Sequence, residues 1–333
     1  FYTNVTSDSK QILFRGYKDG KKISQKVEFV PSLFMESETG EFRSIHNKKL
    51  TRKQFETFKE MRDFKKDMGD IENIKLYGTS KVETQFINEY FEELNFDINT
   101  ICIKSLDIET TTDHGRIDTA NAPEKIILIT LKDFITKEIV TFGCWDFVFD
   151  KDKIEEILKK QDANIDIDRL SNFRYVKCSD EKDLLSKFVD YWSSDYPDIV
   201  TGWNTELFDI TYISRRILKV LDEKHLKKMS PWGRYSEENR NITIDRSEMI
   251  ITWSGISSLD YYNVYPKFSF KKLENLKLDT VANEELGRNK LENDYASFKD
   301  FYTKDPYMFT LYNIIDVDLI DEFEEKLKLI QMI

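Results

Sequence analysis

The sequence predicts an α/β protein: a mixed sheet flanked by helices over residues 99–333, preceded by a smaller β-rich α+β domain over residues 1–98. Three observations lead there. The length of 333 residues exceeds one ordinary domain and suits two. Short apolar runs split by turn signals fill the first fifty residues. From Asn99 onward, strand-like runs alternate with helical ones.

Taken in order, "QILFRGY" and "ISQKVEFVPSLFM" flank Asp19-Gly20, a hairpin signal because both residues tolerate positive φ. In "TRKQFETFKEMRDFKKDM" (51–68), Phe55, Phe58, Met61, Phe64 and Met68 recur on one helical stripe, with Thr51 as N-cap. The second domain opens with the strands "TICIKSLDIE", "EKIILITLKD" and "KEIVTFGCW" and the helix "SDEKDLLSKFVDYWSSD". The strand "DIVTGWN" and the helix "FDITYISRRILKVLDE" follow. Residues 235–252, "YSEENRNITIDRSEMIIT", are polar, β-branched and free of glycine, and read as an exposed hairpin or extended loop.

Composition narrows the function. Hydrophobic residues at 40% and charged residues at 33%, with 11 Gly and 6 Pro, describe a soluble globular protein rather than a disordered or fibrous one. No apolar run approaches the ~20 residues that cross a bilayer, and no signal peptide opens the chain, so a cytosolic protein is expected. Cys102, Cys144 and Cys178, like His46, His114 and His225, are too dispersed for a disulfide framework or a His/Cys zinc site. A net charge of −11 argues against a general DNA-coating protein, yet allows an enzyme that takes nucleic acid in one groove. A start at Phe1 and an end within the helical "EEKLKLIQMI" suggest a trimmed fragment.

Three separated stretches place carboxylates where periodicity predicts burial. On the strand "SLDIE", Asp107 and Glu109 are two apart and share a face. In "IVTGWNTELFDITYI", Asp209 follows Phe208 where a strand and turn run into a helix. In "PYMFTLYNIIDVDLIDEFEEKL", Tyr312 and Asp316 are four apart and stack on one helical face, beside an apolar stripe of Leu311, Ile315 and Leu319. Each piece alone also fits an ordinary surface pair, a salt bridge or an N-cap, and Asp318 and Asp321 show how common acid is in that segment. Their order and neighbours carry the signal.

"DIET", "TGWNTELFDITYI" (an N-x-x-x-F-D pattern) and "YNIIDVD" (Y-x-x-x-D) resemble the Exo I, Exo II and Exo III motifs of the 3′–5′ proofreading exonuclease in family B DNA polymerases. The resemblance is strongest to polymerases of large tailed phages, where "SPWGR", "SLDYYNVYPKFSF" and "LENLKLDTVA" also have counterparts. It covers nearly the whole chain and is weakest over residues 1–98.

The resemblance implies a ribonuclease-H-like exonuclease domain of the Asp-Glu-Asp-Asp type, in its tyrosine subclass, behind the amino-terminal domain of such polymerases. Asp107, Glu109, Asp209 and Asp316 would be the metal-site carboxylates, Tyr312 would orient the attacking water, and Asn204 and Phe208 would meet the substrate. The cofactors would be two divalent cations, Mg²⁺ or Mn²⁺, which about 3.5–4 Å apart can supply hydroxide and neutralise a phosphodiester transition state. Hard carboxylate oxygens select such ions. The implied partners are single-stranded DNA 3′ ends, the palm, fingers and thumb of the polymerase in the same or a separate chain, and a sliding clamp through the full polymerase. No membrane is involved, and the implied location is the cytoplasm of an infected bacterial host. Segment 235–252 would help keep the primer strand separated. The palm segments of the family, of D-x-x-S-L-Y-P-S and D-T-D type, do not occur in this sequence, so this chain alone is not expected to synthesise DNA. The competing expectations are a single-stranded nucleic-acid or RNA binding module, suggested by the interleaved aromatic and basic residues of "FYTNV" and "ILFRGY", and a non-catalytic polymerase scaffold.

Overall fold

A computed structural model describes residues 1–333 except 70, 72–73, 92–94, 116–117, 162, 244–245, 270 and 289. The chain divides into two compact units, Phe1–Asp97 and Ile98–Ile333. In the first, β1 (Tyr2–Ser7), β2 (Gln11–Lys18) and β3 (Lys21–Glu28) form an antiparallel sheet. Lys18 faces Lys21 across the turn. Asp19 and Gly20, at φ 51° and 72°, take the left-handed geometry of a primed two-residue hairpin, as their sequence predicts. A second sheet, from β4 (Ser32–Glu36), β5 (Phe42–Arg43), β6 (Lys49–Gln54) and β7 (Leu76–Tyr77), runs in the order β5-β6-β4-β7.

Helices α1 (Phe58–Gly69) and α2 (Val82–Tyr90) contribute Phe58, Met61 and Phe86 to a core shared with Ile12, Phe14 and Leu33. The expected helix start at Thr51 is corrected. Thr51 lies in β6 opposite Met35, because ladder pairing with β4 captures residues 49–54. The α1 amino end is held instead by Thr57, whose hydroxyl accepts from the Glu60 amide at 3.0 Å. Phe14 and Arg15 of "ILFRGY" are buried, so they offer no exposed platform for stacking bases.

The second unit is built on a six-stranded mixed sheet, in the order β11-β10-β9-β8-β12-β15. Along the chain these strands are β8 (Ile103–Thr110), β9 (Ile126–Asp133), β10 (Ile139–Gly143), β11 (Phe173–Lys177), β12 (Ile199–Thr201) and β15 (Ser257–Ser258). β8, β9 and β10 pair antiparallel, and β12 runs parallel to β8. Around them lie α3 (Lys151–Lys160), α4 (Glu181–Ser194), α5 (Thr211–Val220), α6 (Glu223–Lys227), α7 (Tyr261–Phe268), α8 (Leu278–Leu286), α9 (Phe298–Lys304) and α10 (Pro306–Leu327). Several elements carry no signal in the sequence pattern, among them α3 and the edge strand β11, where no side chain is fully buried.

Segment 235–252 is a hairpin of β13 (Tyr235–Thr243) and β14 (Arg246–Trp253), with Tyr235 opposite Trp253. Residues 244–245, within the expected hairpin, lie outside the described residues. Ile251 and Trp253 at its base join the core formed by α4, α5 and the sheet. Among the described residues, no helix is long and apolar enough to cross a membrane.

Candidate active site

β8 is covered on both faces and is buried at every position except Asp107, which is half-buried. A register shift follows Glu109, between its pairing with Leu128 and that of Thr110 with Ile126. Such a bulge ends regular pairing just past the second carboxylate. The strand therefore holds Asp107 and Glu109 on one face, as the spacing of two dictates.

The third carboxylate arrives from the far end of the chain. α10 begins at Asp305, whose side chain accepts from the Met308 amide at 2.9 Å, with Pro306 in the first turn where its missing N–H costs nothing. The helix packs on β8 and β9 and turns Asp316 toward the two strand carboxylates. One oxygen from each of Asp107, Glu109 and Asp316 falls within 4.8 Å of the others.

Asp209 sits beside this cluster rather than within it. It lies fully buried in a π-helical turn, Glu206–Ile210, and its Oδ1 accepts from the Ile108 amide at 3.0 Å, between the two strand carboxylates in sequence. The preceding loop approaches β8 closely at Gly202. A Cβ there would stand 2.6 Å from the Leu106 carbonyl oxygen and 1.9 Å from Thr205 Oγ1, so glycine alone fits. Asn204 takes a left-handed φ of 68°, and its amide, with that of Glu206, is held by Asp260 at 2.9 and 3.1 Å. Phe208 is half-buried, its ring centre 5.4 Å from that of Tyr212.

Burial and mutual repulsion set the protonation of these groups. Loss of solvent, reinforced by Asp316, pushes Asp107 up to about 8. Glu109 and Asp209 are raised well above the usual carboxylate range by burial and by Asp107. Burial raises Asp316 as well, while its ion pair with Lys290 works the other way. Burial opposes the charge of Lys290, but Asp316 and Tyr312 more than offset this and raise it. Its Nζ lies 4.5 Å from the centre of the Tyr312 ring. Tyr312 is pushed up to about 12, chiefly by burial and then by Asp316.

Two members of the site escaped the sequence reading. Asn313 donates from Nδ2 to Asp107 Oδ2 at 2.5 Å. Its position three residues before Asp316 on a helix was an available signal. Lys290 lies in the connection after α8, where no periodicity marks it. Asp318 and Asp321, which read as ordinary acid in an acidic segment, are instead fully buried and ion-paired. The helix is enclosed on that side too, which the sequence pattern did not reveal.

The donor set suits a metal ion. All three clustered ligands are hard carboxylate oxygens, and Oδ1 of Asp316 is buried without a hydrogen-bond partner. Asp107, Glu109 and Asp316 could thus bind a metal ion. Residues 44–281, more than half of the chain, match the family model described as DNA polymerase family B, exonuclease domain. The chain belongs to this exonuclease family. The match includes Asp107, Glu109 and Asp209 and ends before α10.

Full-length relatives extend the likeness of this exonuclease-family chain. It is 30% identical over 347 residues to the DNA-directed DNA polymerase of Escherichia phage RB69, covering 100% of this chain and 38% of the relative. To the DNA-directed DNA polymerase of Enterobacteria phage T4 it is 27% identical over 336 residues, covering 98% and 37%. A DNA polymerase catalytic subunit of Saimiriine herpesvirus 2 is 29% identical over 160 residues, covering 45% and 16%. The chain thus spans under two-fifths of the length of the phage relatives.

Proposed function

We propose that this chain is the 3′–5′ proofreading exonuclease part of a phage replicative DNA polymerase, removing the terminal nucleotide of single-stranded or frayed DNA ends in the cytoplasm of an infected bacterium. Residues 99–333 would form the exonuclease domain and residues 1–98 the amino-terminal domain. The observation that carries the reading is the convergence of Asp107, Glu109 and Asp316, with one buried carboxylate oxygen left unpartnered. Its partners would be the palm, fingers and thumb, and through them a sliding clamp.

Asp107, Glu109, Asp316 and, beside them, Asp209 are the residues that would hold two divalent cations, Mg²⁺ or Mn²⁺. Bound there, such ions would supply hydroxide near neutral pH and neutralise charge on the phosphodiester transition state. The chain's own groups have separable tasks. Asn313 orients the Asp107 carboxylate through its hydrogen bond. Tyr312 stays protonated at physiological pH, so its hydroxyl would orient the attacking water by hydrogen bonding rather than take its proton. Lys290, ion-paired with Asp316 beside the Tyr312 ring, would present a positive charge to an entering phosphate. Asn204 and Phe208, on the loop leading to Asp209, would contact the terminal nucleotide, and the β13–β14 hairpin would help keep the primer strand apart.

The test is release of nucleotides from a 3′-labelled single strand, with Mg²⁺ or Mn²⁺ and with chelator. Metal-dependent release from the 3′ end is expected. Asp107→Ala or Asp316→Ala should slow it by at least about 10³-fold, since each removes a ligand and several kcal/mol of charge stabilisation. Near-normal release by folded Asp316→Ala would overturn the reading.

A further inference from the structure

We propose that the buried ion network behind α10 is a positioning device for the carboxylate site: Lys132, acting through Asp318 and Asp321, fixes the rotation of α10 and so the direction in which Asp316 and Tyr312 point. The inference rests on the site reading given above. At about 100° per residue, Tyr312, Asn313 and Asp316 occupy one side of the helix, and Asp318 and Asp321 the other. Both sides are buried, apart from the half-buried Tyr312. Apolar side chains at the same positions would resist rotation weakly, because dispersion contacts are non-directional.

Charged partners do resist it. Lys132 projects from β9 with no exposed surface and pairs with Asp318 and with Asp321, the latter at 2.9 Å. Arg169 grips the same two acids at 3.1 and 3.0 Å, and Arg288 reaches Asp318 at 3.4 Å. Lys132 stands opposite Ser105 in the β8–β9 ladder, two residues before Asp107. Ser105 Oγ in turn donates to the Val317 carbonyl at 3.0 Å, one residue past Asp316. The strand that carries two of the carboxylates and the helix that carries the third are thereby tied at fixed register. A buried ion pair adds little net stability over apolar residues of the same size, and its best-attested use is to specify one arrangement.

The experiment measures Mn²⁺ binding to the full chain from the paramagnetic resonance signal of free Mn²⁺, beside kcat and KM on a single strand and melting in chelator. The charge-balanced variant Lys132→Met/Asp318→Asn should still melt cooperatively. It should bind Mn²⁺ about 10–100-fold more weakly, with a comparable fall in kcat and little change in KM, as when the partners that orient a metal ligand are removed. Ser105→Ala, a smaller change, should weaken Mn²⁺ binding in the same direction, and it decides the matter if the double variant does not fold. Lys132→Arg, which keeps the charge, should recover much of the affinity. Parental Mn²⁺ affinity and kcat in folded variants would overturn the positioning role while leaving the site reading intact. A parent chain that neither binds Mn²⁺ nor hydrolyses DNA would overturn both.

Discussion

Lys290 forms an ion pair with Asp316, so a resident cation stands at the edge of the carboxylate cluster. Its charge offsets part of the repulsion among Asp107, Glu109 and Asp316. A divalent ion entering the cluster meets that ammonium as a competitor for Asp316, whereas a phosphate entering it meets a favourable charge.

These two effects separate in Lys290→Met. Mn²⁺ should bind as tightly as in the parent or more tightly, because a competing charge is gone. Single-strand hydrolysis should fall by about 10²-fold, in the range for losing one preorganised charged group facing the transition state. Metal titration and single-turnover release on the same preparation distinguish this from a scaffold role, in which binding and turnover would fall together.

Tyr312→Phe should cost less than Asp316→Ala, and less than the about 10²–10⁴-fold expected of a group that itself carries the proton. Since the hydroxyl titrates at about 12, removing it should scale the pH–rate profile without moving its limbs. A limb that disappears in the Phe variant would show that Tyr312 titrates during the reaction.

Metal-free stability should depend on pH through the cluster. Asp107 is raised in the folded state from 3.8 to about 8, so over that window the native protein holds a proton that the unfolded chain releases. Its contribution is fully present below the lower value and is lost as pH rises toward the upper one. Melting temperature in chelator should therefore fall with pH more steeply in the parent than in Asp107→Asn. A saturating divalent ion needs the ionised carboxylates, so it should stabilise most at the alkaline end, by about 2.7 kcal/mol at a hundredfold excess over Kd. Equal slopes for parent and variant, measured by thermal melts across the window, would remove Asp107 as the source.

Asp209 allows a cleaner dissection. Asp209→Asn keeps an oxygen for the Ile108 amide and removes a charge that Asp107 already disfavours. In chelator it should be as stable as the parent or more so, with hydrolysis abolished and the Mn²⁺-induced shift in melting reduced. Asp209→Ala should lose about 1–3 kcal/mol, because the Ile108 N–H is left buried and unpaired. A destabilised Asn variant with an unchanged Mn²⁺ shift would make Asp209 a structural residue only.

What the sequence determined by itself was local. A spacing of two put Asp107 and Glu109 on one face of β8, a spacing of four put Tyr312 and Asp316 on one face of α10, and Asp19-Gly20 set a hairpin, because strand and helix periods and backbone sterics act within a few residues. The three motifs in order were also enough to expect the family, to which residues 44–281 belong. Even locally, pattern could be outbid. Thr51 reads as a helix cap, yet pairing with β4 draws it into a strand.

Which faces meet was decided only by the tertiary structure. Asp107 and Asp316 are brought together because α10 packs across β8 and β9, and the same packing encloses Asp318 and Asp321 against Lys132 and Arg169. Lys290 enters the site from a connection with no period to betray it, and Asp209 is held to the Ile108 amide rather than among the clustered oxygens. Such placements follow from burying apolar surface and satisfying every buried charge across the whole unit at once, conditions that no window of neighbouring residues contains.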